Sequence, residues 1–243
     1  MELLLQGAAR LGVVLSERQQ QQFRTYHEEL LAWNRRMNLT AITGYEEVQA
    51  KHFLDSLTVA VTVKNSMLEQ GSRAIDVGSG AGLPGLPLKI AFPAIHMTLL
   101  DSTHKKTQFL RHVVERLGLQ GVDVVAGRAE EVGQCREYRE SFSLVLSRAL
   151  ARLPSLVELM LPLCAVGGTV VAFKKGDIAA EVAASAYAIG LLGGELQEVK
   201  ELALPELGEG RLLVVISKVT PTPDGYPRRP GMPAKRPILK PGK

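Results

Sequence analysis

The run Ala74-Ile75-Asp76-Val77, followed by Gly78, Gly80, Gly82 and Gly85, gathers residue types that let a backbone approach a ligand closely. Its apolar residues predict a strand, and its glycines a tight turn, because Gly takes positive φ without a steric penalty. Pro84 and Pro87 suit the first turn of a following helix, where a missing N–H does no harm. Strand, turn and helix start of this kind cradle nucleotide cofactors. Gly80-Ala81-Gly82-Leu83-Pro84-Gly85 also satisfies G-x-G-x-x-G, and Asp101 follows about twenty residues later, where a dinucleotide site keeps its ribose-binding acid. A dinucleotide, another adenosyl cofactor and a purely structural turn all stay open on this pattern.

The charge of Asp76 narrows the choice. An acid placed just before the glycines repels a pyrophosphate but attracts a cation, such as the amine and sulfonium of S-adenosylmethionine. In this respect the loop resembles the first motif of Rossmann-like methyltransferases, an acid followed by G-x-G-x-G. Asp76, Gly78 and Gly80 are therefore candidate cofactor residues. Asp101, ending the run Met97-Thr98-Leu99-Leu100, would meet the ribose hydroxyls, or alternatively start the next helix. In Gly127-Arg128-Ala129-Glu130-Glu131, Ala129 would supply a backbone N–H and Glu130 an acceptor to adenine. Acids favoured by a helix dipole are the competing explanation.

The elements that would position these residues follow from hydrophobic periodicity. The first seventy or so residues read as helices: Ser16 with Gln19 forms a capping box, and Phe23, Tyr26, Leu30, Trp33 and Met37 recur at helical steps. A further helix is predicted from Glu46 to about Lys64. From Arg73 onward, short apolar runs alternate with amphipathic stretches, the signature of βαβ units on a mostly parallel sheet. Strands are expected at Ala74–Val77, His96–Leu100, Val122–Val125, Leu144–Leu146, Gly168–Phe173, Leu196–Ala203 and Leu212–Lys218. Helices are expected near Gly85–Ala91, Thr103–Leu117, Leu153–Leu163 and Asp177–Leu192. This gives a helical region over 1–70, an α/β domain of seven strands over 71–219, and a tail over 220–243. The tail's many prolines suit neither helix nor central strand, so it reads as an extended arm.

With 46% hydrophobic residues among 243, a sizeable buried core is expected. The net charge is +4, but Pro221 to Lys243 alone carries +5, so the basicity belongs to the tail. Cys135 and Cys164 form no CxxC, and the histidines make no zinc pattern with them, which points to a reducing compartment and no structural metal. Pro154 to Phe173 carries only Glu158 as a charge, yet Pro162 and Gly167-Gly168 divide it into a buried helix and a buried strand. A soluble, cytoplasmic and monomeric protein is expected.

Further motifs carry a more specific resemblance. Asn34-Arg35-Arg36-Met37-Asn38-Leu39-Thr40, His52-Phe53-Leu54-Asp55-Ser56, the glycine loop, Leu99-Leu100-Asp101-Ser102, Ser147-Arg148-Ala149 and Tyr226-Pro227-Arg228-Arg229-Pro230-Gly231 together resemble the RsmG family, also called GidB. The likeness runs from about Asn34 to Leu239. It implies a class I, Rossmann-like methyltransferase that methylates guanine N7 in small-subunit (16S) ribosomal RNA. It further implies cofactor contacts by Gly78, Leu83, Ala129, Glu130 and Arg148, with Asp101 near the ribose and Arg148 bordering the catalytic pocket.

Guanine N7 has a free lone pair, so such a transfer needs alignment and electrostatics rather than a base. Arg148 is the candidate catalytic residue, as a donor to guanine O6. Lys175, Arg228, Arg229, Lys235 and Arg236 are candidate contacts to RNA phosphate. The absence of a Pro-Pro pair and of a cysteine in a reactive setting counts against exocyclic-amine and cytosine-C5 chemistry. An NAD-dependent oxidoreductase and an inactive cofactor-sensing RNA-binding module are the rival classes.

Overall fold

The computed structural model describes residues 1–208 and 210–240. Helices α1 (Glu2–Arg10) and α2 (Glu17–Met37) open the chain. The Ser16 hydroxyl accepts from the Gln19 N–H, and Gln19 Oε1 accepts from the Ser16 N–H at 2.8 Å, so two otherwise orphaned donors are satisfied reciprocally. Gln19 Nε2 also donates to the carbonyls of Ile90 and Ala91, which ties this helix start to the sheet domain.

The expected helix from Glu46 to about Lys64 is broken. Helix α3 (Tyr45–Val48) widens into a π-turn at Gln49–Leu54, then continues as α4 (Asp55–Leu57) and a 3-10 turn at Thr58–Val61. The physical reason lies in its surroundings. Every residue from His52 to Val59 is buried, so this segment has no solvent face and must serve partners on several sides. A widened turn redirects side chains that a regular helix would stack.

The sheet domain contains β1 (Arg73–Val77), α5 (Gly85–Ala91), β2 (His96–Asp101), α6 (His104–Arg116), β3 (Val122–Ala126), α7 (Ala129–Val132), β4 (Phe142–Arg148) and α8 (Leu153–Met160). It continues with a 3-10 turn at Leu161–Leu163, β5 (Cys164–Lys175), α9 (Ala179–Leu191), β6 (Gly194–Glu201) and β7 (Arg211–Lys218). The strand order is β3-β2-β1-β4-β5-β7-β6, with β7 antiparallel to both neighbours. The order reverses between β1 and β4, the place where open α/β sheets bind ligands.

Strand alternation assigns side chains to faces. Ile75, Val77, Val145 and Ile216 enter a core beneath α8 and α9. Ala74, Leu144, Leu146, Phe173 and Leu213 enter another with Phe23, Tyr26, Leu30 and Phe53 of the helical region. The N-terminal helices thus share a core with the sheet, and Asp76, Arg148, Lys175 and Arg211 belong by parity to the face they cover.

The tail departs from the expected extended arm. Arg139 donates to the carbonyls of Thr222, Pro223 and Tyr226, and Gln134 donates to the Pro227 carbonyl at 2.8 Å. Prolines keep this backbone out of regular ladders, so side chains of the domain capture its carbonyls instead. A short helix α10 (Met232–Lys235) follows, and Ile238 is buried beyond it. Pro241 to Lys243, the end of the expected arm, lies outside the described residues. Pro154–Phe173 forms the helix and strand expected of it, and no helix among the described residues is long and apolar enough to cross a membrane.

Replacing Ser16 by Ala removes one half of the capping box and should cost about 1 kcal/mol. A thermal unfolding scan should then show a midpoint lower by roughly 2–4 °C, as expected for a chain of this size.

Candidate cofactor cleft and the polar cluster beside it

A cleft of about 340 Å³ opens beyond the C-terminal ends of β1, β2 and β3. That volume lies within the ~300–1,000 Å³ of small-molecule sites. Other hollows of about 370 to 480 Å³ exist, but none of them is lined by the C-terminal ends of β1, β2 and β3. The glycine loop forms one side of the cleft. The Gly78 and Ser79 N–H groups donate to the Leu100 carbonyl, folding the turn across β2. Gly82 has φ +88, and a Cβ there would stand 2.9 Å from the Tyr26 hydroxyl, so the loop and α2 approach closely only because this residue is Gly.

Gly78, Asp101, Ala129 and Glu130 all line the cleft, as the sequence pattern proposes. Asp101 accepts from the Gly80 N–H at 2.9 Å and from the Thr103 N–H at 2.8 Å. It therefore pins the loop and starts α6 while still facing the cleft. Gly80 acts through this bond rather than by lining the cavity. Glu130 accepts from the Gly231 N–H at 2.8 Å.

Three expected cofactor residues lie elsewhere. Asp76 is fully buried on the face opposite Ile75 and Val77, accepts from the Gly85 N–H at 3.0 Å, and does not line the cleft. Its Oδ1 has no partner among the described residues. Burial pushes its carboxyl up to about 7, against the opposing influence of the Gly85 N–H, Ser79 and Arg148. Leu83 packs in the core beneath the helical region.

Arg148 also turns away from the cleft, toward the π-turn. Its Nη2 donates to the Lys51 carbonyl at 2.9 Å and lies 3.0 Å from His52 Nδ1. Its Nη1 stands 2.9 Å from Asp55 Oδ2 without the alignment of a hydrogen bond. Arg211 approaches Asp55 from the other side at 3.7 Å. Burial and the Arg148 charge push His52 down to about 4. The ring is neutral; Nδ1 lies 3.0 Å from Arg148 Nη2 and 3.1 Å from the Lys51 carbonyl, and Nε2 faces Thr40 Oγ1 at 2.7 Å. Burial raises Asp55 and lowers Arg148, while their mutual attraction opposes both changes.

Sequence reasoning passed over four of these residues as functional candidates. Tyr26 counts only as a helix-periodic core position, yet its hydroxyl donates to the Ala81 carbonyl of the glycine loop at 2.5 Å, and its ring stacks on Phe53 at 5.2 Å. His52 and Asp55 enter only as letters of a motif, and Arg211 not at all. The one available signal was the place of His52 and Asp55 in the motif His52-Phe53-Leu54-Asp55-Ser56. Among the expected RNA contacts, Lys175, Arg229, Lys235 and Arg236 are exposed. Arg228 is instead paired with buried Glu158 at 2.6 Å, so its guanidinium is occupied.

The sheet order, its antiparallel β7, and acids after β2 and β3 facing a glycine loop after β1 define a Rossmann-like class I methyltransferase fold. The chain belongs to the GidB family, rRNA small subunit methyltransferase G, whose family description matches residues 19–208. Ribosomal RNA small subunit methyltransferase G of Dehalococcoides mccartyi is 48% identical over 98% of this chain and 100% of its own length. The protein of that name from Roseiflexus castenholzii is 49% identical over the same shares. Among solved structures, a SAM-dependent methyltransferase from Aquifex aeolicus has a TM-score of 0.53 at 16% identity, covering 75% of this chain and 97% of its own; that likeness concerns the fold alone.

Asp76 and His52 give opposite pH dependences in one window. Asp76, raised from 3.8 to about 7, contributes stability that is lost as pH rises through that range. His52, lowered from 6.5 to about 4, contributes stability that is lost as pH falls through its range. Asp76→Asn removes the first trend. Its urea midpoint should rise with pH more steeply than the wild type's between about 4 and about 6.5. An equal or shallower rise would contradict the assignment.

Proposed function

We propose that this chain transfers the methyl group of S-adenosylmethionine to N7 of a guanine in 16S ribosomal RNA, in the cytoplasm. The observation that carries the reading is the pairing of two carboxylates, Asp101 and Glu130, with the glycine loop across one cleft, in a chain of this family. The donor set fits the cofactor. Asp101 suits a ribose diol, and Ala129 and Glu130 suit the edge of an adenine. The acids at 101 and 130 line the cleft and disfavour a pyrophosphate. When bound, S-adenosylmethionine supplies a methyl group on a positively charged sulfur.

The protein's part is positioning. N7 brings its own lone pair, so no residue need remove a proton, and no base is assigned. Arg148 Nη1 and Arg211 Nε are buried donors without hydrogen-bond partners among the described residues. Both are ion-paired with the Asp55 carboxylate, Nη1 at 2.9 Å and Nε at 3.7 Å, without hydrogen-bond alignment, and a guanine O6 entering beside Asp55 would give them an aligned acceptor while leaving N7 free. Lys175 pairs with Arg211 in the β5–β7 register, so a basic strip runs from Arg148 outward, suited to the phosphates beside the target base. The exposed Arg229, Lys235 and Arg236 extend the positive surface on the tail.

Arg148→Ala should reduce single-turnover methylation of small-subunit RNA at least a hundredfold, a loss typical of a removed electrostatic donor (~10²–10³). Its S-adenosylmethionine affinity by calorimetry should stay near the wild-type value. Full methylation by this variant would remove Arg148 from the mechanism. Tight NAD binding in place of S-adenosylmethionine by the wild type would overturn the whole reading.

A further inference from the structure

We propose that the C-terminal segment around Arg228 to Ala234 is the outer wall of the cofactor cleft, a cofactor-binding element held in place by Arg228 on Glu158. The proposal rests on the S-adenosylmethionine reading above and extends it to a part of the chain expected to serve RNA alone.

Two observations place the segment at the ligand. Gly231 and Ala234 line the cleft together with Gly78, Asp101 and Glu130. The Gly231 N–H donates to Glu130 Oε1 at 2.8 Å and so orients the carboxylate assigned to the adenine edge. A group fixed by such a bond presents its remaining oxygen in one direction, which lowers the ordering cost of binding. The wall itself is small and uncharged at Gly231 and Ala234, a surface suited to the flat face of a purine rather than to a phosphate.

The clamp explains an otherwise costly residue. Glu158 is fully buried on the apolar helix α8, and a buried carboxylate is tolerated only with a partner that meets its lone pairs. Arg228 supplies that partner through three donors: its backbone N–H at 2.9 Å and Nε at 2.8 Å to Oε1, and Nη2 at 2.6 Å to Oε2. Nη2 also donates to the Arg236 carbonyl at 2.7 Å, so one guanidinium grips both ends of the turn that contains Gly231 and Ala234. Pro227 fits against Gly133, where a Cβ would come within 2.9 Å of its Cγ. Helix α7, which carries Ala129 and Glu130, is thereby held between the strand ends and the tail.

The test is calorimetric titration of S-adenosylmethionine into the full chain and two variants, with thermal unfolding as a control. Ala234→Phe places a ring in the cleft from an exposed position, so folding should be unaffected while Kd rises by about tenfold or more. The double variant Glu158→Leu with Arg228→Leu removes the buried charge and its partner together, avoiding an unpaired charge in the core. It should keep a cooperative unfolding transition and also bind the cofactor about tenfold more weakly. Wild-type affinity in Ala234→Phe would overturn the wall, and wild-type affinity in the double variant would overturn the clamp. Failure of the wild-type chain to bind S-adenosylmethionine would refute the proposed function instead, a separate outcome.

Discussion

The reversal of strand order between β1 and β4 is the constraint on which the rest of the site depends. Two parallel strands lie side by side there, but β1 crosses over toward β2 while β4 crosses toward β5. Their C-terminal loops diverge, and the gap between them cannot be filled by either connection. The glycine loop turns across β2 on one side, and the loop after β4 brings Leu150 against Gly78 on the other. Acids at the ends of β2 and β3 then face a space that the topology leaves open.

The same two strands explain the division of labour between the cleft and the helical region. Even-numbered residues of β1 and β4 face the N-terminal helices, so Asp76 and Arg148 share a buried polar cluster with His52, Asp55, Arg211 and Tyr26. Burying charge of this kind is expensive unless it is paired. The π-turn makes the pairing feasible, because adjacent residues serve different partners: His52 meets Arg148, while Phe53 stacks on Tyr26. Tyr26 in turn holds the Ala81 carbonyl of the cofactor loop. One irregular turn therefore braces both the arginine assigned to the base and the loop assigned to the cofactor.

On the opposite side of the cleft, the tail supplies a wall that no strand end can reach. Its prolines forbid a ladder, so it is held by side-chain donors, with Arg139, Gln134 and Lys218 drawn from the domain and Arg228 from the tail itself. Lys218 is itself buried, bonded to Thr222 and to the carbonyls of Leu161 and Leu192, and anchors the point where the tail leaves β7.

The sequence by itself determined what depends on near neighbours in the chain. Apolar runs between turn residues placed all seven strands, Ser16 with Gln19 marked a helix start, and glycines after β1 with acids after β2 and β3 located the cleft. These signals are local, since periodicity, capping and turn chemistry act within a few residues. Only the tertiary structure decided which side chains reach the cleft. Asp76 and Arg148 each adjoin a cleft residue in sequence and Leu83 belongs to the glycine loop, but strand alternation and packing against the helices turn them elsewhere. The π-turn and the folded tail were hidden for the same reason: each is stabilised by partners distant in the chain, Arg148 for the one and Glu158 for the other, and no local pattern encodes a contact of that range.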